Sequence, residues 1–185
     1  MHGETRLKPA ASTPASPWLR RWMPLAPAGA TVLDVACGWG RNLRWMRDEG
    51  FRVTGVDWDI CALSDVEGAE IIEADLEDGS PWPLPGRTFD VVLVSRYLYR
   101  PLFPVLEESL ADGGLLIYET FMQGNEAYGR PRNPDHLLKR DELLTAFPRL
   151  SVVAFEQGEV ETCGSGVVQR IVLSKDARPR RLDNT

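Results

Sequence analysis

The sequence predicts an α/β fold: a mostly parallel, doubly wound sheet covered by helices on both faces and closed by a C-terminal antiparallel hairpin. Three observations carry that prediction. Short apolar runs of strand composition recur between residues 31 and 120, separated by stretches of helical periodicity, an alternation expected of a parallel sheet. Residues 89–95 are almost continuously apolar, the pattern of a strand buried on both faces. Residues 150–157 and 167–174 then read as two strands flanking a Gly-containing connection.

Taken in order, residues 1–17 are rich in Ala, Pro, Ser and Thr and lack apolar periodicity, so a mobile N-terminal segment is expected. A single domain then runs over residues 18–175, and residues 176–185 form a charged, frayed tail. Trp18 to Met23 fits a short amphipathic turn of helix. Residues 31–36 are the first strand, 37–40 a tight turn, and 41–49 a helix stopped by Gly50. The second strand covers 52–57 and ends in a carboxylate. A connection of helical length leads to a third strand over 69–74, and residues 78–87, with Pro81, Pro83 and Pro85, form a loop. After the fourth strand, Pro101 opens a helix whose buried stripe is Leu102, Phe103, Val105, Leu106 and Leu110. Asp112-Gly113-Gly114 turns into a fifth strand over 115–120. Residues 121–138 are a long polar loop of the kind that is often functional, and 141–147 a short helix stopped by Pro148.

Composition narrows the function. At 185 residues the chain suits one domain with a sizeable core, and 43% hydrophobic with 26% charged residues is the balance of a soluble globular protein. A net charge of −6 argues against a general nucleic-acid groove, though not against a local basic patch. Cys37, Cys61 and Cys163 are far apart and form no Cys-x-x-Cys pair, so neither a disulfide framework nor a metal site is expected. No apolar run approaches the roughly 20 residues of a membrane span, and nothing resembles a secretory signal. The cytoplasm is the expected location, with no membrane partner.

The chemistry concentrates in the stretch TVLDVACGWGRN beginning at Thr31. Glycines at a strand-to-helix turn let the backbone approach a ligand, and a helix N-terminus offers unpaired N–H groups. Asp34 lies within the strand just before the turn. A carboxylate there would repel a pyrophosphate but can help hold a cationic ligand, directly or by shaping the loop. That points to S-adenosylmethionine. A nicotinamide dinucleotide fits worse, because its fingerprint needs a third Gly or Ala where this chain has Leu43.

VLDVACGWGRN resembles motif I of the class I S-adenosylmethionine-dependent methyltransferases. Gly55-Val56-Asp57 resembles their motif II, Ala74-Asp75-Leu76 motif III, and the run from Phe89 to Ser95 the motif IV strand. The turn through Asp112-Gly113-Gly114 matches their entry into the fifth strand. Five motifs in order over roughly residues 30–175 make the likeness specific. The resemblance implies a seven-stranded, Rossmann-like methyltransferase sheet whose last strand is antiparallel. The whole chain is most similar to compact bacterial small-molecule methyltransferases related to the tellurite-resistance group. An N-terminal helix over the cofactor would bring Trp18 or Trp22 to the site; otherwise the two tryptophans cover the sheet.

In a doubly wound sheet, ligands bind beyond the carboxyl ends of the strands. The expected cofactor-binding residues are therefore Asp34, Ala36, Gly38, Gly40, Asn42, Asp57, Trp58, Asp75, Leu76 and Ser95. Asp57 is placed for the ribose hydroxyls, and Asp75 with Leu76 for adenine. Trp58 either stacks on adenine or lies on the surface, and Cys37 reads as a packing residue. Methyl transfer needs mainly alignment of a nucleophile with an already activated donor, so no catalytic dyad has to be visible. Candidate acceptor-side residues are Tyr97, Arg100, Glu119, Tyr128, Arg130, Arg132 and His136, with Asn125 beside them. Arg130 and Arg132, flanking Pro131, either clamp an anion or only cover the cofactor. Glu119 is a base or a structural hydrogen-bonding group.

The chain lacks an Asp/Asn-Pro-Pro-Tyr signature after the fourth strand and lacks a Pro-Cys pair. Both negatives favour a small-molecule acceptor over DNA, and a clamp of Arg130 and Arg132 would make it an anionic one. The expected reaction yields S-adenosylhomocysteine, in a monomer or homodimer. The alternatives are a non-catalytic S-adenosylmethionine-binding module and an RNA methyltransferase using Arg96, Arg100, Arg130 and Arg132 as a basic rim.

Overall fold

In a computed structural model, which describes residues 13–161, 165–177 and 181–182, the sheet follows from the apolar runs. β1 (Thr31–Val35), β2 (Arg52–Asp57), β3 (Glu70–Glu73), β4 (Phe89–Ser95), β5 (Leu110–Phe121), β6 (Ser151–Val160) and β7 (Gly166–Ser174) form one seven-stranded sheet. Its spatial order is β3-β2-β1-β4-β5-β7-β6. β1 to β5 pair in parallel, and β7 lies antiparallel between β5 and β6. The strand order reverses next to β1, so the β1 and β4 ends flank the crevice where such sheets bind ligands.

Period-two alternation divides the core into two layers. Val32, Val91, Leu93, Leu115, Ile117 and Val172 face α1 (Pro17–Trp22) and α2 (Arg41–Asp48). Leu33, Val92, Val94, Leu116, Tyr118 and Ile171 face the opposite side, with α3 (Phe103–Glu108) and α4 (Leu143–Ala146). Trp18 and Trp22 belong to the first layer, packed edge to face at 5.4 Å. They cover the sheet and do not line the strand-end crevice.

The differences from expectation have local causes. Pro17, assigned to a mobile segment, begins α1, because Ser16 caps it by accepting from the Trp18 and Leu19 amides. The Ser16 amide in turn donates to Asn42 Oδ1 at 2.9 Å. Residues 1–12 and Cys163 lie outside the described residues, as do 178–180 and 183–185 of the expected tail. The connection after β2 holds a 3-10 turn at Cys61–Leu63 in place of a helix. There the Asp59 side chain accepts from the Cys61 amide, a local bond that competes with helix formation.

Leu110 belongs to β5 and not to α3. It pairs with Phe89, the chain loops out through residues 111–114, and Leu115 then pairs with Val91. Glycine is required there: a Cβ on Gly114 would lie 2.9 Å from the Ala111 carbonyl oxygen and 3.1 Å from that of Phe89. The loop after β5 is less open than its polarity suggests. Met122 bridges Leu138, and Leu137, Leu138 and Asn125 are buried.

Gly114→Ala should cost about 1–3 kcal/mol of stability, the range for overpacking, because backbone oxygens cannot yield as a side chain does. Urea unfolding with an unchanged m-value checks this.

Candidate functional site

A crevice of about 730 Å³ opens at the carboxyl ends of the parallel strands. Of the expected cofactor residues, Ala36, Asp57, Trp58, Asp75 and Leu76 line it. From the acceptor candidates, Tyr97, Arg130, Arg132 and His136 do so. The walls differ in charge: Asp57, Asp75 and Glu77 stand beyond β2 and β3, while Arg96, Arg130 and Arg132 stand beyond β4 and on the loop after β5.

Asp57 organises the first wall. It is 2% exposed, Oδ2 accepting from the Gly38 amide at 2.7 Å and Oδ1 from the Asp59 amide at 3.1 Å. One carboxylate thereby fixes the glycine turn against the strand end. Gly38 and Gly40, both in the left-handed region, do not line the crevice but set the turn's shape. A Cβ on Gly40 would come within 2.5 Å of Leu63 Cδ2. Ala36 turns out of β1 at φ 54°. Trp58 is 47% exposed at the mouth, an aromatic face open to a ligand.

Asp34 sits deeper, 2% exposed and off the crevice wall. Burial pushes its carboxyl from the ordinary 3.8 up to about 8, opposed by Arg41 and reinforced by Asp57. It also accepts from the Leu43 amide in the first turn of α2, whose N-cap, Gly40, has no side chain. Of its two readings, this geometry is that of loop shaping. Asn42 is committed to Ser16.

Ser95 does not line the crevice: its hydroxyl donates to Glu119 Oε1 at 3.0 Å and accepts from Arg41 Nη2 at 3.1 Å. Glu119 is thus engaged in a hydrogen-bonded cluster beside a smaller niche lined by Arg41, Arg96 and Arg170. Arg100 also leaves the site. It pairs with both Glu142 oxygens at 2.6 and 3.0 Å and donates to the Asp135 and Leu137 carbonyls. These bonds strap the 121–138 loop to the chain just before α4. Tyr128 is exposed, and its hydroxyl is raised by a hydrogen bond to Glu159, away from the crevice. Asn125 is 1% exposed and structural, donating to the Pro131 carbonyl and accepting from the Val167 amide. Burial pushes up the Tyr97 hydroxyl, with Glu77 adding to the shift.

Sequence reasoning missed Leu98, Thr120 and Phe121 as crevice residues and gave Arg96 only to the basic rim of the RNA alternative. Each follows or closes a strand whose end had been located, so the strand-end rule extended by a few positions finds them. Among the described residues, no group of three His, Cys, Asp or Glu is placed to hold a metal, and no helix is long and apolar enough to cross a membrane.

Against known proteins, a family model described as a methyltransferase domain matches residues 32–110. The match contains the glycine turn, Asp57, Asp75 and Glu77 of the acidic wall, and β4 with Arg96 beyond it. A Schizosaccharomyces pombe protein, UNK4.09, is 26% identical over 78% of this chain, which spans 59% of that relative's length. A TehB-like S-adenosylmethionine-dependent methyltransferase from Corynebacterium glutamicum superimposes with TM-score 0.60 at 20% identity, over 86% of this chain and 87% of that one. The N-methyltransferase NodS of Bradyrhizobium japonicum, in complex with S-adenosylhomocysteine, superimposes with TM-score 0.64 at 16% identity, over 86% of this chain and 88% of that one. At these identities the likeness is one of fold: the fold is that of S-adenosylmethionine-dependent methyltransferases, TehB-like ones included.

The buried Asp34 gives a pH signature. Between about pH 4 and pH 8 the unfolded chain has lost a proton that the folded chain keeps. Stability therefore falls as pH rises through that window and levels off above it. In Asp34→Asn this contribution should vanish, so the variant gains on the parent from pH 5 to pH 8 in urea unfolding. Equal slopes for the two proteins would contradict the assignment.

Proposed function

We propose that the chain transfers a methyl group from S-adenosylmethionine to a small, anionic acceptor, using a single domain over residues 18–175. The observation that carries the proposal is the division of one strand-end crevice into an acidic wall and a cationic wall.

The residues present fit the donor. Asp57 ends β2 with its carboxylate at the crevice, where its remaining lone pairs can accept ribose hydroxyls. Asp75 and Leu76 follow β3, and Trp58 offers an exposed ring beside them, a set suited to an adenine. Ala36 and the glycine turn would hold the donor's other end, with Asp34 keeping the turn in shape. When bound, the donor supplies an activated methyl on sulfur, which a nucleophile held in line can take.

The protein's task is then alignment, worth up to about 7–11 kcal/mol in favourable cases. Arg130 and Arg132 draw an anionic acceptor toward this wall through their positive field, and His136 lines the same wall. The Asp135 and Leu137 carbonyls that receive Arg100 fix that loop's course, so its cations approach from a defined side. A small molecule suits a crevice of about 730 Å³, within the usual range for ligand pockets. The cytoplasm, where the donor is made, is the proposed location.

Calorimetric titration should show micromolar binding of S-adenosylmethionine and S-adenosylhomocysteine and none of a reduced nicotinamide dinucleotide. Arg130→Ala combined with Arg132→Ala should leave donor binding within about threefold and lower turnover with anionic acceptors more than tenfold. Equal loss of both would make the loop a cofactor lid.

A further inference from the structure

The cation that the sequence offered only to an RNA-binding rim has the most constrained position in the crevice. Arg96 follows β4 directly and has φ 58°, a conformation that side-chain-bearing residues other than Asn and Asp seldom adopt. Among the described residues, three non-glycine residues have positive φ: Ala36, Arg96 and Asp141. Two of these, Ala36 and Arg96, line the crevice, and such backbone strain concentrates at functional sites. The Arg96 amide donates to the Glu119 carbonyl at 2.9 Å, so the residue is fixed between the ends of β4 and β5. Its guanidinium carbon lies 6.0 Å from the centre of the Phe121 ring.

The other cations are placed differently. Arg130, Arg132 and His136 ride on the loop after β5, Arg132 donating to its own loop at the Gly129 carbonyl. Arg100 is held by Glu142. Arg96 alone among these five sits on a strand end, where a site is held more accurately than on a loop. Apolar residues accompany it: Phe121, on whose ring it lies, and Tyr97 and Leu98, next in the chain, line the same crevice. An inorganic oxyanion would gain little from those rings. An organic acid would use both the planar fork, which matches a carboxylate in two parallel hydrogen bonds, and the apolar floor.

We propose that Arg96 is the specificity-determining residue of the acceptor site, binding the carboxylate of a small organic acid whose apolar body lies against Phe121, Tyr97 and Leu98. This rests on the methyltransferase reading above.

The test uses protein saturated with S-adenosylhomocysteine, titrated with benzoate and cinnamate and with their primary amides, benzamide and cinnamamide. At least one acid should bind ten or more times more tightly than its amide. In Arg96→Asn, which tolerates the left-handed backbone, that ratio should fall to near one while S-adenosylhomocysteine affinity is kept. Arg96→Gly relieves the backbone and serves as the second variant, with unchanged melting confirming its fold. Acids and amides binding alike, no acid binding, or an acid preference that survives in both variants would overturn the proposal. So would a loss of S-adenosylhomocysteine affinity in the variants, which would assign Arg96 to the donor. Failure of the parent protein to bind S-adenosylhomocysteine removes the methyltransferase reading itself, and this inference with it. Donor binding without acid binding removes only the inference.

Discussion

One carboxylate holds the site together. Asp57 closes β2, and its two oxygens accept backbone N–H groups from the glycine turn after β1 and from its own following loop. It adds to the turn's backbone bonds from the Cys37 amide to the Val56 carbonyl and from the Gly40 amide to the Cys37 carbonyl, both 3.0 Å, while Gly40 caps α2 without a side-chain bond. Without Asp57, the Gly38 amide would be a part-buried donor lacking this acceptor, a loss of up to about 1–3 kcal/mol. The turn's position sets where Ala36 lines the crevice. Asp34 supports the same turn from beneath through the Leu43 amide, and burial keeps it protonated near neutrality. Two acids in close quarters therefore serve the site differently, Asp34 shaping the loop and Asp57 lining the crevice.

The cationic wall rests on a different device. A loop of this length tends to wander, but here both ends are buried and its middle is strapped. Asn125 ties Pro131 to β7, and Arg100 reaches from the start of the α3 region to Glu142 and two loop carbonyls. Arg100 and Asn125, which look like ligand-binding residues in the sequence, thus hold Arg130, Arg132 and His136 in place. Their role is positional, and it explains how a polar loop lines a site without a helix or strand of its own.

What could be read from the sequence follows the same physics. The central strands were legible because β4 is buried on both faces, and β2 because its terminal Asp breaks an apolar run. The glycine turn was legible because its residue types are dictated by conformation. The connection after β2 was not, since its length suits a helix and only the Asp59 side chain decides otherwise. β5 was cut short because Gly113-Gly114 reads as a turn between elements, whereas it is a loop-out within one strand. At the site, Ser95, Glu119 and Arg100 carry the right chemistry at the right strand ends, yet their partners lie 24 to 54 residues away. Arg96 was read only as part of a basic rim for the complementary reason. Its importance lies in a backbone angle, which residue type does not announce.

The central claim is that one crevice has a donor half built on Asp57 and an acceptor half built on β4, β5 and the following loop. Amide hydrogen exchange with and without S-adenosylhomocysteine tests it most directly. The account predicts slowed exchange across residues 36–42, 57–59 and 74–77, with little change over residues 121–138. Protection confined to residues 121–138, or absent throughout at saturating ligand, would contradict it.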